Sequence, residues 1–201
     1  MSLDCAHCHN KKCYDGKDCT KLRVDAEQKY KPNDIKSMQV SASIEAQYYM
    51  RKTRLEELIL YAKELGYKRL GIAFCIGLTE EARIIHEILA SEFEVHSVCC
   101  KVCGIDKSKF KLERLHPEKE IDATCNPLGQ AEVLNRAKTE LNIILGLCIG
   151  HDALFTKYSK APVTTIAVKD RVLAHNPLGA IYSNYYLENV FHIIRGDKNT
   201  L

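Results

Sequence analysis

Arg69-Leu70-Gly71-Ile72-Ala73-Phe74-Cys75-Ile76-Gly77-Leu78-Thr79-Glu80-Glu81-Ala82 is the stretch that decides the fold of this chain. Residues 69–75 form a short, almost wholly apolar run, which predicts a strand buried on both faces. Thr79 is placed to cap a helix, and Glu80 and Glu81 suit the positive end of its dipole. Ala82, Ile85, Ile88 and Leu89 continue as the apolar stripe of that helix. Strand, tight turn and helix in this order is the repeating unit of an α/β protein.

Outward from this stretch the rhythm repeats. Phe93 to Cys100 predicts a second strand, and residues 104–120 a polar, Lys-rich excursion made of loop and a short helix. Asn126-Pro127 opens a further helix, with Pro at its favoured first position. Asn142 to Cys148 predicts a third strand, and Val163 to Val168 a fourth, rich in β-branched residues. Asn176-Pro177 starts a final helix carrying Ile181, Tyr182 and Tyr185. The expected fold is α/β, a mostly parallel sheet flanked by helices. Upstream, Val40, Ile44, Tyr48, Leu55, Leu58, Ile59, Ala62 and Leu65 recur at spacings of three and four, which predicts one amphipathic helix, or two in series, ending near Gly66.

Residues 1–36 differ in composition. They carry four Cys, many Lys and Asp, and only Leu3, Leu22, Val24 and Ile35 to build a core. So little apolar surface does not offset chain entropy, so a cross-link must hold the segment if it folds. The expected organisation is a small Cys-rich metal-binding module over 1–36 and an α/β domain over 37–201.

Two short strings occur twice in the same order. Cys75-Ile76-Gly77 ends the first strand and Cys148-Ile149-Gly150 the third; Cys125-Asn126-Pro127-Leu128-Gly129 opens one helix and His175-Asn176-Pro177-Leu178-Gly179 another. Internal duplication is one reading, the first copy being lengthened by residues 99–124; chance combined with ordinary helix-start chemistry is the other.

The strings place soft ligands together. Parallel α/β sheets bind ligands beyond the carboxyl ends of their strands. Cys75 and Cys148 are expected at two such ends, Cys99, Cys100 and Cys103 at a third, and Cys125 and His175 just before helix starts in the same rim. Gly77 and Gly150 leave room for a close approach of backbone to ligand. This set fits a thiolate-bound metal or an iron–sulfur cluster. Taken singly, Cys75 or Cys148 reads better as a buried small hydrophobe; it is the set together that favours a site.

Cys5-x2-Cys8-x4-Cys13-x5-Cys19 puts four thiols within fifteen residues. Tetrahedral zinc takes four such ligands at about 2.3 Å, and a four-iron cluster takes four thiolates as well, so zinc and iron–sulfur both stay open here. His7 and His9 are substitute ligands, and an unmetallated disordered tail is the alternative. Cys5-Ala6-His7-Cys8-His9 also matches the string that attaches c-type haem, but that attachment needs export, and the opening residues hold no apolar signal segment.

Three further residues are candidates for catalysis. His151 and Asp152 follow the third strand, where His151 could ligate metal or move a proton; a plain helix start is the competing reading. Lys169, in Lys169-Asp170-Arg171, could hold an anionic substrate or a cluster-bound ligand, or sit in an exposed charged turn.

With 46% hydrophobic and 27% charged residues the chain has a soluble globular composition, and no apolar run nears the ~18 residues of a membrane span. A net charge of +3 is too small to imply nucleic acid or membrane as partner. Ten Cys without an export signal suit a reducing compartment, so a cytoplasmic location is expected. No P-loop, dinucleotide fingerprint or nucleophile elbow is present.

The four-Cys motif, Cys125-Asn126-Pro127, Gly146-Leu147-Cys148-Ile149-Gly150-His151-Asp152, Ala161-Pro162-Val163-Thr164 and Lys169-Asp170-Arg171 with His175-Asn176-Pro177 together resemble an uncharacterised Cys-rich family. That family, a domain of unknown function found mainly in anaerobic bacteria and archaea, carries a metal-binding label. The resemblance implies a cytoplasmic metalloprotein and names no substrate. The expected function is a metal- or iron–sulfur-binding protein with a redox or cofactor-related role, acting with a small-molecule substrate or an electron-transfer partner. A non-catalytic metal carrier or sensor is the first rival. A nucleic-acid-binding protein using the zinc-knuckle-like motif ranks third, because Asp15 and Asp18 dilute Lys11, Lys12, Tyr14 and Lys17.

Overall fold

The computed structural model describes residues 4–194. The chain divides into two compact units, Met1–Tyr49 and Met50–Leu201.

In the first unit, residues 4–22 run through successive turns, closed by backbone bonds such as Tyr14 N–H to Lys11 O and Gly16 N–H to Cys13 O. Asp18 organises the exit, accepting from the backbone N–H groups of Thr20, Lys21 and Arg23 and from the Thr20 hydroxyl. These donors, the Arg23 N–H foremost, hold its carboxyl down to about 2. Helix α1 (Arg23–Lys29) buries no residue, and α2 (Pro32–Tyr48) opens on proline and buries Ile44.

The second unit starts with α3 (Arg54–Glu64), whose Thr53 and Glu56 form a reciprocal cap. The amphipathic stretch upstream of Gly66 is therefore two helices in series, α2 and α3. Strands β1 (Arg69–Phe74), β2 (Glu94–Cys99), β3 (Leu141–Leu145) and β4 (Val163–Ala167) form an all-parallel sheet in the order β2-β1-β3-β4. Helices α4 (Thr79–Ala90), α5 (Pro127–Arg136) and α6 (His151–Tyr158) make the crossovers, and a short α7 (Gly179–Tyr182) follows β4. The α/β class and the parallel sheet agree with the sequence. No helix among the described residues is long and apolar enough to cross a membrane.

Strand residues alternate between two cores, as a pleat requires. Leu70, Ile72, Leu141, Ile143 and Leu145 pack with Leu58 and Ala62 of α3 and with Ala82, Ile85 and Leu89 of α4. Ala73, Cys75, Val98, Cys100, Ile144 and Leu147 pack on the other face with Ala131 and Leu134 of α5 and Phe155 of α6. The chain moves outward from β1 to β2, crosses back to β3, then moves outward to β4 on the opposite side. The junction of β1 and β3 is thus the topological switch point, where such sheets open a crevice.

Three local expectations differ. β3 ends at Leu145, because Gly146 turns to φ +68° while its N–H bonds Ala167 O, so Cys148 lies three residues past the strand. Thr79 is the first residue of α4 and not its cap: a 3-10 turn over Ile76–Leu78 runs directly into the helix, and the Thr79 hydroxyl donates to Ile76 O. The final helix shrinks to four residues, because Ser183 turns extended and Asn176 supplies no side-chain cap; Tyr185 falls between α7 and a single π turn over Tyr186–Val190.

Candidate functional site

The carboxyl edge of the sheet is built from backbone bonds that hold cysteines side by side. Cys75 follows β1, its N–H bonded to Leu145 O of the neighbouring β3. Cys99 closes β2 opposite Phe74, and the next residue, Cys100, sends its N–H to Phe74 O. Cys100 O then receives the N–H of Asn126, which fixes Cys125 against it. Asn126 caps α5 through Gly129 N–H and binds Val102 O, so the start of α5 and the end of β2 are tied together.

The sulfurs of Cys100 and Cys125 stand 3.9 Å apart, and the N–H of Ile76 points at the Cys100 sulfur at 3.4 Å. Cys100 is buried, whereas Cys125 is half-buried. The hydrogen bond with Cys100 holds the Cys125 thiol down to about 5, with help from the charges of Lys101 and His151. The same bond, together with burial, pushes Cys100 up. Its nearness to Cys75 acts in the same direction. Their contact thus pushes the two thiols in opposite directions, the more exposed Cys125 down and the buried Cys100 up.

Cys148 contributes from the loop after β3. Its sulfur takes a hydrogen bond from the Arg171 guanidinium at 3.1 Å, which raises the Arg171 pKa further; the fields of Cys75 and Cys125 also reach Arg171. Lys169 leans into the same crevice. Its Nζ lies 3.4 Å, and the Cys75 sulfur 3.9 Å, from the point where Gly77 would carry a Cβ. Cys100 and Cys125 are thus in contact at the switch point, Cys75 is near enough for its charge to act on Cys100, and Arg171 bonds Cys148 while feeling the fields of Cys75 and Cys125.

The other candidates are placed differently. Cys99 is half-buried and packs at the margin of the same core. Cys103 is exposed in a 3-10 turn at φ +70°. His175 Nδ1 lies 3.1 Å from Asp170 N and 3.0 Å from Val168 O, so that nitrogen serves the loop after β4. Asp152 accepts from Ala153 N–H in the first turn of α6. In the first unit, the sulfurs of Cys8, Cys13 and Cys19 face Asn10 Oδ1, Lys11 O and Lys17 O, and Cys5 is exposed. Among the described residues no group of three or more His, Cys, Asp or Glu is arranged to hold a metal ion, and all ten cysteines are free.

Two residues of the site escaped the sequence reading. Lys101 crosses the excursion to bond Ala123 O at 2.6 Å, and the only signal for it was its place next to Cys100. Gln130 is fully buried, and its Nε2 donates to Phe74 O and Val98 O, clamping the ends of β1 and β2 beneath the cysteines. Its Oε1 has no hydrogen-bond partner among the described residues. A polar residue beside Ala131 and Leu134 on the inner face of α5 was the available clue.

A family model described as protein of unknown function (DUF1847) matches residues 14–166, a span that holds Cys75, Cys100, Cys125 and Cys148. An uncharacterised protein of Methanocaldococcus jannaschii, MJ0455, is 57% identical over 190 residues, covering 94% of this chain and 98% of the relative. No solved structure matches the chain.

Proposed function

This chain belongs to the DUF1847 family, and from that premise we propose that it is a thiolate metalloprotein of the cytoplasm, binding zinc or an iron–sulfur cluster and serving a redox or cofactor-related role. Cys75, Cys100, Cys125 and Cys148 are the ligands of the sheet-edge site, and Cys5, Cys8, Cys13 and Cys19 those of a second site in the first unit. The observation that carries the reading is the Cys100–Cys125 pair. Two sulfurs on one tetrahedral ion at ~2.3 Å stand about 3.8 Å apart. These two are 3.9 Å apart before any ion is added. The pair would supply half a coordination shell, with Cys75 and Cys148 as the proposed ligands that complete it.

The surrounding charges fit this role. Four thiolates around a divalent ion leave two negative charges, and Lys101, Lys169 and Arg171 oppose them at the crevice. Arg171 bonds the Cys148 sulfur and so sets a cation beside that ligand. A bound metal or cluster would supply electron transfer or Lewis acidity, while Lys169 binds an anionic small molecule beside it and His151 holds a proton at the start of α6. The partner is then such a molecule or an electron-transfer protein. Ten free thiols support a reducing compartment.

Anoxic purification followed by an absorption spectrum and counts of zinc, iron and sulfide tests the reading. Metal is expected at two independent sites, with Cys148→Ala lowering the content by one site and Cys8→Ala lowering the other. A metal-free chain, or stoichiometry unchanged in both variants, contradicts it.

A further inference from the structure

We propose that Cys100 and Cys125 are a redox dithiol that undergoes thiol–disulfide exchange with a low-molecular-weight disulfide, closing to an intramolecular disulfide. The proposal rests on the reading that the sheet-edge sulfurs form one reactive site, and it names the two-electron chemistry of the metal-free state.

The backbone prepares this pair. Cys100 is held from both sides, by its N–H on Phe74 O and its carbonyl on Asn126 N–H, both at 2.8 Å, so residues 100 and 125 are neighbours through the sheet and the start of α5. The intervening excursion is itself pinned. Asp106 accepts from Asp122 N–H, and the buried Asp122 carboxylate receives Lys107 Nζ and the N–H of Leu115. From 3.9 Å, side-chain rotation must bring the sulfurs to the ~2.05 Å of a disulfide bond.

The pair is also asymmetric in the way an exchange reaction needs. Cys125 is half-buried and meets an incoming reagent, whereas Cys100 keeps 3% of its surface and sits behind it. In the first step the Cys125 thiol gives its proton to water and the thiolate so formed attacks one sulfur of R–S–S–R; that bond breaks, R–S⁻ leaves and is protonated, and Cys125 carries a mixed disulfide. In the second, the Cys100 thiol loses its proton to water and attacks the Cys125 sulfur, expelling the second R–S⁻, which is protonated in turn. The balance is one protein dithiol and one R–S–S–R giving one protein disulfide and two R–SH. The disulfide is reduced by two electrons and the protein oxidised by two. Closure removes two of the four sheet-edge ligands, so oxidation and metal binding exclude each other.

The test uses the full-length zinc-free chain with 2-hydroxyethyl disulfide under anoxia, acid quenching, alkylation of remaining thiols and peptide mapping by mass spectrometry. A peptide pair linked through Cys100 and Cys125 is expected. In Cys100→Ser the mixed disulfide should accumulate on Cys125, and in Cys125→Ser the modification of Cys100 should fall at least tenfold. A wild-type map with Cys125 mixed disulfide that never resolves, or with modification confined to Cys5, Cys8, Cys13 and Cys19, overturns the proposal without need of any variant. Zinc added beforehand should block the linkage. Linkage that forms despite zinc supports the dithiol and counts against the metal reading, whereas bound zinc without any linkage in the zinc-free chain sinks the dithiol alone.

Discussion

The two sheet-edge thiols in contact differ in acidity. The bond to Cys100, with the charges of Lys101 and His151, holds Cys125 down to about 5, whereas an ordinary thiol titrates at about 8.5. In the metal-free chain, the rate of Cys125 alkylation by iodoacetamide should therefore reach its plateau by neutral pH, with its midpoint near 5. Lys101→Met should move that midpoint upward. Linkage gives the sign for stability: a folded-state pKa below the unfolded one contributes stability that is complete above the unfolded value and is lost as pH falls through about 5. Single-residue chemistry was partly legible in the sequence. The cysteines after strands 69–75 and 93–100 declared themselves through their position, but the pairing of residue 100 with residue 125 depends on a backbone bond between Cys100 and Asn126 that no local pattern encodes.

At the scale of elements, the sheet is held at its centre by a close contact between β1 and β3. A Cβ on Gly71 would fall 2.1 Å from Asn142 Oδ1 and 2.8 Å from Leu134 Cδ1. Asn142 cannot retreat freely, because it is fully buried, with its Oδ1 accepting from Thr139 Oγ1 and its Nδ2 donating to Ser159 Oγ. Gly71→Ala should thus cost about 3 kcal/mol, the upper range for overpacking a core, with added loss from the strained amide bonds. Urea unfolding followed by circular dichroism measures it; a change below about 1 kcal/mol would show that β1 and β3 separate more easily than this packing implies. The strands themselves were legible, since four apolar runs between helix starts leave few other assignments. Their ends were less so. Gly146 stops β3 three residues short by adopting a left-handed conformation, and the last helix fails because its apolar side chains Ile181, Tyr182 and Tyr185 stay exposed instead of finding a core.

For the whole molecule, strand order positions the candidate site. Alternating strands and helices announced a parallel sheet, yet order β2-β1-β3-β4 follows only from how the crossovers pack. That order puts the two Cys-Ile-Gly strings at the ends of adjacent strands, β1 and β3, and gives the repeated motif a shared crevice. Residues 75 and 148, far apart along the chain, thereby both act on Arg171, which bonds the Cys148 sulfur. In the first unit the sulfurs of Cys8, Cys13 and Cys19 face local oxygen atoms and Cys5 is exposed; under the proposed reading a bound ion would gather the four.

The most direct measurement of the central claim isolates the sheet edge. A full-length variant with Cys5, Cys8, Cys13 and Cys19 all changed to Ser is titrated with Co²⁺ under anoxia, and sulfur-to-cobalt charge-transfer absorption is followed. One equivalent of Co²⁺ should bind with that band, and adding Cys100→Ser and Cys125→Ser should abolish it. A four-serine variant that binds no cobalt, or a band that survives the loss of both sulfurs, would contradict the account.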